Sequence, residues 1–370
     1  MNSSCEQNGA AQPVALLAAP GARRYLNHVA ARIVVIEGDG IGREVVPAAI
    51  GVIRRLELDL EFQPLNVGAE RYLQTGEALP EDDFAQLETA DAILLGAIGD
   101  PRITDSHYVW QTLGRIRREL DLYANVRPAK LLCGRLSPLR EPGPRPADIT
   151  VVRENTEGLY SRLGGRFKPG TPEEMAIQEH VNTFRDITRI LDYAFSTARS
   201  SVVLADKWQA MPHAGALWQR CWRDARAAHP DTPARHMAVD ACALHMISDP
   251  WQFDVIVTEN CFGDILSDVA GGLIGGVGLA PSANINAITG RAMFEPVHGS
   301  APDIAGTGTA NPAAAILAGA LMLRHLGFAA EAAAVEAAVA GAIEAGECTA
   351  DAGGSLSTRE AAVAVARRLG

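Results

Sequence analysis

At 370 residues the chain exceeds the length that one hydrophobic core usually organises, so two lobes are expected. With 48% hydrophobic and 21% charged residues and a mean hydropathy of +0.03, the composition excludes a disordered or fibrous chain. A formal net charge of −11, with no concentrated Lys/Arg run, excludes nucleic acid and anionic membrane as expected partners.

In chain order, residues 1–30 read as a flexible N-terminal extension. Their apolar stretch Val14–Pro20 is followed, not preceded, by Arg23 and Arg24, the wrong order for a signal peptide. Apolar runs typical of buried parallel strands follow at Ile33–Ile36, Ala92–Leu95, Thr150–Val152, Ser201–Leu204 and Val255–Val257, with helical-period stretches between most of them. This alternation predicts an α/β fold. The alanine-dense stretch 313–345 predicts helix packed at the surface of the first lobe. The run Ala313–Met322 is too short for a bilayer span and is closed by Arg324. Six cysteines without a C-x-x-C pair point to reduced thiols and a cytoplasmic location.

Several short stretches carry chemistry. Gly38-Asp-Gly-Ile-Gly42 follows a strand and opens a predicted helix over Arg43–Arg55, where backbone amides can meet a cofactor or simply make a tight turn. The spacing is not G-x-G-x-x-G, and no acid ends a second strand to hold a ribose, so a classical Rossmann site is not expected. Arg117, Arg127 and Arg153 stand at element ends, and converging guanidinium forks suit a substrate with more than one carboxylate, although each alone reads as a solvated arginine. Asp264 and Asp268, four apart, share a helix face and could hold a hard divalent cation with Asp240 as a third ligand. From spacing alone, a cap at Asp264 with Asp268 exposed is the more economical reading. Lys207 at a strand end and Tyr160 read singly as a solvated lysine and a packed tyrosine.

Together, Ile36–Gly42, Leu120–Pro128, Val152–Tyr160, Phe262–Asp268 and Phe294–Gly306 resemble the β-decarboxylating dehydrogenases, the family of isopropylmalate, isocitrate, homoisocitrate and tartrate or D-malate dehydrogenases. The resemblance runs from about residue 31 to the C-terminus. It implies a two-lobed isocitrate/isopropylmalate dehydrogenase-like fold. Residues 31–122 plus 275–370 would form the cofactor lobe, and residues 123–274 the dimerisation, substrate and metal lobe. It further implies that Asp240, Asp264 and Asp268 hold Mg²⁺ or Mn²⁺, that Arg117, Arg127 and Arg153 bind the carboxylates of a malate-type diacid, and that Lys207 and Tyr160 act as base and acid. In relatives the lysine and one aspartate come from the neighbouring subunit, so Lys207 and Asp240 would act across a homodimer. For the cofactor, Ile41, Glu295, His298, Gly299, Ser300, Ala301, Asp303, Ile304 and Asn311 match the family's adenosine site. The carboxylate of Asp303 would accept from ribose hydroxyls and repel a 2′-phosphate, which predicts NAD.

Specificity in this family is set by the turn before Arg117. Isopropylmalate enzymes pair two leucines there, and this chain has Leu113 followed by Gly114. Homoisocitrate enzymes of bacterial type carry an arginine at the place of Gly114; Arg115 lies one residue on, about 100° round a helix. Residues 99–102, Asp105, Trp110 and 280–286 look most like the tartrate and D-malate branch, with Trp110 shrinking the pocket towards an unsubstituted malate. Leu159 and Leu122–Asn125 read more like the homoisocitrate branch, and Trp208 and Gln209 depart from the small residue and asparagine that usually follow the lysine. The expected reaction is therefore NAD- and metal-dependent oxidative decarboxylation of a D-malate or tartrate-like diacid, or of a 3-substituted malate. Homoisocitrate or 3-isopropylmalate oxidation stands as the alternative. A catalytically silent regulatory subunit and a non-enzymatic binding protein are the rivals of another class.

Overall fold

The computed structural model describes residues 30–105, 107–140 and 146–370; the N-terminal extension lies outside the described residues. The strands are β1 Ala31–Gly38, β2 Leu60–Pro64, β3 Ala92–Ala97, β4 Ala124–Lys130, β5 Asp148–Glu154, β6 Gly164–Phe167, β7 Met175–Gln178, β8 Val202–Asp206, β9 Ala234–Ala238, β10 Val255–Thr258, β11 Pro281–Ile285 and β12 Ala292–Pro296. Ten of them form one continuous sheet in the order β2-β1-β3-β12-β11-β4-β5-β10-β8-β9, and β6 and β7 make a separate exposed hairpin.

The sheet explains which strands periodicity could find. β1, β3, β5, β8 and β10 pair in parallel or lie inside the sheet, are buried on both faces, and read as apolar runs. β11 does not read so. Its residues Pro281-Ser-Ala-Asn-Ile285 are all buried, yet two of them are polar. Asn284 Oδ1 accepts from Asn125 Nδ2 and Asn155 Nδ2 at 3.0 Å each, and Asn125 Nδ2 also donates to Ser282 Oγ at 2.8 Å. This amide cluster sits where antiparallel β11 and β4 join the strands drawn from residues 31–97 and 281–296 to those drawn from residues 124–258. Pro128, inside β4, lies beyond the stretch that β11 pairs, so its missing N–H costs no ladder bond on that side.

The helix predicted over Arg43–Arg55 runs Gly42–Ile53 and tightens into a turn at Arg54–Leu56. The first alanine-dense helix, Ala313–His325, is buried almost throughout and not at the surface. It is apolar all round, and small side chains let it lie between the sheet and the helices Gly42–Ile53 and Ala329–Glu344. The second, Ala329–Glu344, is only partly buried. No helix among the described residues is long and apolar enough to cross a membrane.

At the far end of β10, the buried carboxylate of Asp254 gathers the chain before β8. It accepts from the Arg199 N–H at 2.7 Å, the Ser200 N–H at 2.6 Å and Arg199 Nε at 2.8 Å. Burial opposes its charge, but the Ser200 amide and Arg199 outweigh burial and hold the carboxyl below its ordinary 3.8. The charged form is thus the stabilised one, and its contribution is present above the ordinary value and lost as pH falls through the folded one. Asp254→Ala should lower stability by about 2–3 kcal/mol in denaturant melts near neutral pH. The gap between variant and parent should narrow as the pH is taken below 3.8.

Candidate functional site

The carboxylate pair Asp264 and Asp268 is not a cap. The helix Asn260–Leu273 begins four residues before Asp264, and Glu259 caps it by accepting from the Cys261 and Phe262 amides at 3.0 and 2.6 Å. Asp264 and Asp268 are therefore interior residues on one helix face, with side chains 39% and 66% exposed. The helix packs on β5 and β4 because residue 263 is glycine: a Cβ there would stand 2.6 Å from Cβ and Cγ of Arg153.

Arg127 and Arg153 project from one face of neighbouring strands, diagonal in the β4–β5 register. Both reach Asp264. Arg153 Nη1 donates to Asp264 Oδ1 at 2.6 Å and Arg127 Nη1 to the same oxygen at 3.2 Å, while the Tyr160 hydroxyl donates to Oδ2 at 3.0 Å. Asn260 Oδ1 holds the other side of Arg153, accepting from Nε and Nη2 at 2.9 and 2.6 Å, and Ser267 Oγ accepts from Arg127 at 2.7 Å. Arg117 enters from the other side of the cleft, donating to Glu295 Oε1 at 2.7 Å. A cavity of about 250 Å³ unites Arg117, Arg127, Arg153, Tyr160, Asp264 and the run Glu295–Gly299.

The electrostatics follow from crowding cations in a dry place. Arg153 is 2% exposed, and burial, with Arg127 beside it, pushes its guanidinium down to about 10. Burial works against the charge of Asp264, but Arg153 and Arg127 overcome it and keep the carboxyl below the usual range. Asp268 goes the other way, raised by burial and by Asp264 next to it. Two close carboxylates, one of them raised, on a helix face beside three arginines suit a divalent cation that keeps water and substrate oxygens in its shell. The phenol of Tyr160 is pushed up, first by burial and then by Asp264, so it stays protonated.

Lys207 and Asp240 stand together, Nζ donating to Oδ1 at 2.5 Å, and neither contacts the Asp264 cluster. Among the described residues no three carboxylate, imidazole or thiol groups are close enough to hold an ion. One chain thus brings together Asp264, Asp268, Tyr160 and the arginines, and leaves Lys207 and Asp240 apart. Trp208 is 44% exposed, and its backbone lies over Gly215, where a Cβ would meet its Cα at 2.3 Å.

Gly40 and Ile41 do more than turn the chain. Gly40 has φ +52° and no room for a Cβ, which would lie 1.9 Å from the Ser300 carbonyl oxygen, and the Ile41 N–H donates to that oxygen at 2.9 Å. The first glycine loop is so tied to the run His298–Ile304. Glu44, which sequence reasoning missed, strengthens the tie by accepting from the Gly306 and Gly308 amides at 2.6 and 2.9 Å. Asn311 is fixed by Asp351 at 2.9 Å, another residue with no sequence signal. Asp303 and Ile304 are exposed on this loop, Ala301 has φ +40°, and Gly299 is open above His298. The His298 ring is lowered by burial, and its Nε2 has no partner among the described residues, an orphan polar atom that a bound cofactor would answer.

The segment before Arg117 is a helix interrupted by a π-helical turn: His107–Val109, the turn Trp110–Gly114, then Arg115–Glu119. Trp110 and Leu113 line a second cavity of about 560 Å³ that shares Arg117 and Tyr160 with the first. Trp110 lines this cavity, and its indole packs on Gly114, where a Cβ would stand 3.3 Å from Trp110 Cδ1. Arg115 points away, to Glu81 at 2.7 Å and Glu119 at 3.0 Å. Asp39, missed as a site residue, braces this segment: buried, it accepts from the Ala69 and Gly99 amides and from the Tyr108 hydroxyl at 2.6, 2.7 and 2.7 Å. The stretch 280–286 lies in and beside β11 and contributes through Asn284, whose Nδ2 donates to Glu295 at 2.8 Å behind Arg117.

Comparison with known proteins agrees with this geometry. The family model described as isocitrate/isopropylmalate dehydrogenase matches residues 32–365. The 3-isopropylmalate dehydrogenase of Rhodococcus jostii (strain RHA1) is 48% identical over 313 residues, covering 83% of this chain and 92% of its own. That of Corynebacterium kroppenstedtii is 45% identical over 347 residues, covering 91% and 99%. The crystal structure of isocitrate dehydrogenase from Methylococcus capsulatus superposes with a TM-score of 0.84 at 36% identity, covering 92% of this chain and 99% of that one. The chain belongs to the isocitrate/isopropylmalate dehydrogenase family and is an NAD-dependent decarboxylating dehydrogenase of hydroxy acids.

Proposed function

We propose that the chain oxidatively decarboxylates a malate substituted at its third carbon, yielding a 2-oxo acid, CO₂ and NADH. The observation that carries this reading is the convergence of Arg127, Arg153 and Tyr160 on Asp264, facing Arg117 across the cleft. The relatives named 3-isopropylmalate dehydrogenase support a substituted malate, and with it the 3-isopropylmalate alternative, over the tartrate or D-malate expectation. So does the 560 Å³ cavity, which leaves room beyond the carboxylate sites.

Each residue has a task that its surroundings suit. Arg117, Arg127 and Arg153 bind the two malate carboxylates through charge-assisted forks, taking them in place of the contacts now made with Asp264. Asp264 and Asp268, with Asp240 from a second copy of the chain, are the residues to hold Mg²⁺ or Mn²⁺, which supplies Lewis-acid stabilisation of negative charge developing on the substrate oxygen. Lys207, also from the second copy, takes the hydroxyl proton. Tyr160, kept protonated by burial and by Asp264, delivers a proton to the carbon that loses CO₂. The loop His298–Ile304, Ile41 and Asn311 hold the NAD adenosine, with Asp303 accepting from its ribose. Residues 31–122 and 275–370 then form the cofactor lobe, and residues 123–274 the dimerisation lobe of a cytoplasmic homodimer. A silent regulatory subunit is disfavoured because none of these positions is lost.

Purified protein with NAD⁺, Mn²⁺ and 3-isopropylmalate should generate NADH absorbance, and a chelator should abolish it; undiminished turnover after chelation would rule the reading out. Asp264→Asn should cut kcat by at least roughly a hundredfold. If sites are shared between subunits, mixing inactive Lys207→Ala with inactive Asp264→Asn should restore activity that neither has alone, because one site of the mixed dimer is intact. Gly263→Ala should push Arg153 away from Asp264, since the new Cβ meets its side chain at 2.6 Å, and should both raise KM in steady-state assays and lower the melting temperature.

A further inference from the structure

The carboxylate of Asp206 is buried at the end of β8, 5% exposed, immediately before Lys207. A buried carboxylate must find donors, and three segments supply them. The His236 ring donates from Nε2 to Oδ1 at 2.5 Å out of β9, and Gln219 Nε2 donates to Oδ2 at 2.9 Å out of the helix Pro212–Ala228. The Trp208 N–H donates to Oδ1 at 3.3 Å, reaching back across Lys207. The chemistry proposed above uses none of these side chains.

What they hold in place is Lys207 and Asp240. β8 and β9 pair in parallel, with Leu204 opposite His236 and Asp206 opposite Ala238. β8 runs straight into Lys207, and β9 runs straight into the helix Val239–Ser248, which carries Asp240 in its first turn. The contact between Asp206 and His236 therefore pins together the two strand ends from which Lys207 and Asp240 project. A slip of one residue between the strands would turn His236 to the other face and leave Asp206 short of a donor. The turn after β8 is closed as well, because the Lys207 carbonyl accepts from the Ala210 and Met211 amides at 2.9 and 3.1 Å.

Lys207 depends on such bracing more than a stiffer residue would. Its ammonium stands at the tip of a flexible four-carbon stem, and the side chains of Lys207 and Asp240 are 39% and 68% exposed. Packing does little to place side chains so exposed, so the strand ends beneath them decide where the pair stands.

We propose that Asp206 and His236 are positioning residues, whose contact fixes the strand ends that present Lys207 and Asp240 as a preset pair to the site of a second copy of the chain. This rests on the shared-site reading above and names the residues that set the lent half of each site. Neither touches substrate or metal in that arrangement; both act through the backbone of β8 and β9.

The test uses the full-length enzyme with NAD⁺, Mn²⁺ and 3-isopropylmalate. Asp206→Asn and His236→Phe, which keep the volume and weaken or remove the contact, should each lower kcat roughly 10- to 100-fold while the KM for NAD⁺ stays within about twofold. His236→Gln, whose amide can place a donor where Nε2 stands, should recover part of the loss. Co-expression shows which half of the site is hurt. Paired with Asp264→Asn, His236→Phe should regain up to roughly a quarter of parental activity, because random pairing gives about half the dimers one site with intact Asp264 and well-placed Lys207. Paired with Lys207→Ala it should gain nothing. Where His236→Phe fails to fold in thermal melts, Asp206→Asn carries the same pairing test. Unmoved kcat in both variants, equal loss in His236→Phe and His236→Gln, or rescue by Lys207→Ala overturns the inference and leaves shared sites standing. Failure of Lys207→Ala and Asp264→Asn to complement each other overturns the shared-site reading and the inference with it.

Discussion

One buried arginine organises the centre of the molecule. Arg153 is 2% exposed, and a guanidinium so placed must have its donors met or the fold loses far more than an ordinary hydrogen bond returns. Asn260 and Asp264 meet them. That requirement fixes where the helix Asn260–Leu273 starts, why residue 263 lacks a side chain, and which way Asp264 and Asp268 face. The chemistry then occupies a place that structural electrostatics has already prepared. The positive charge that would draw substrate carboxylates also keeps Asp264 ionised, and Asp264 in turn keeps Tyr160 protonated.

Much of this was legible in the sequence, and the failures have physical causes. Strands buried on both faces show as apolar runs, so β1, β3, β5, β8 and β10 could be found. β11 and β4 could not, because their buried positions are asparagine and serine that satisfy one another across the sheet, which composition reads as loop. The alanine-rich helix Ala313–His325 was expected at the surface; small side chains say how closely a helix can approach its neighbours, not on which side solvent lies.

The site shows the same division. Spacing alone favoured Asp264 as a helix cap, because the cap role of Glu259, directly after the end of β10, has no distinctive pattern. The five motifs together corrected that, and the family match agrees with them. Glu44, Asp39 and Asp351 stayed invisible because their partners are backbone amides and side chains 30 to 264 residues away. Trp110 was expected to shrink the substrate pocket, and it does line the 560 Å³ cavity. Its actual course depends on the glycine one turn on, a pair interaction that a residue-by-residue reading of pocket size does not contain.

The amide cluster between β11 and β4 has a consequence for how the chain finds its way home. These strands lie 150 residues apart and meet over only three register pairs, too few for hydrophobic packing to dictate alignment alone. A slip of one residue would turn Asn284 to the opposite face and strand the amides of Asn125 and Asn155 in the dry interior. The polar seam thus acts as a gauge, penalising every misaligned return of the polypeptide more heavily than an oily joint could, and it sets the spacing of Arg117 and Glu295 against the arginines on the far strands.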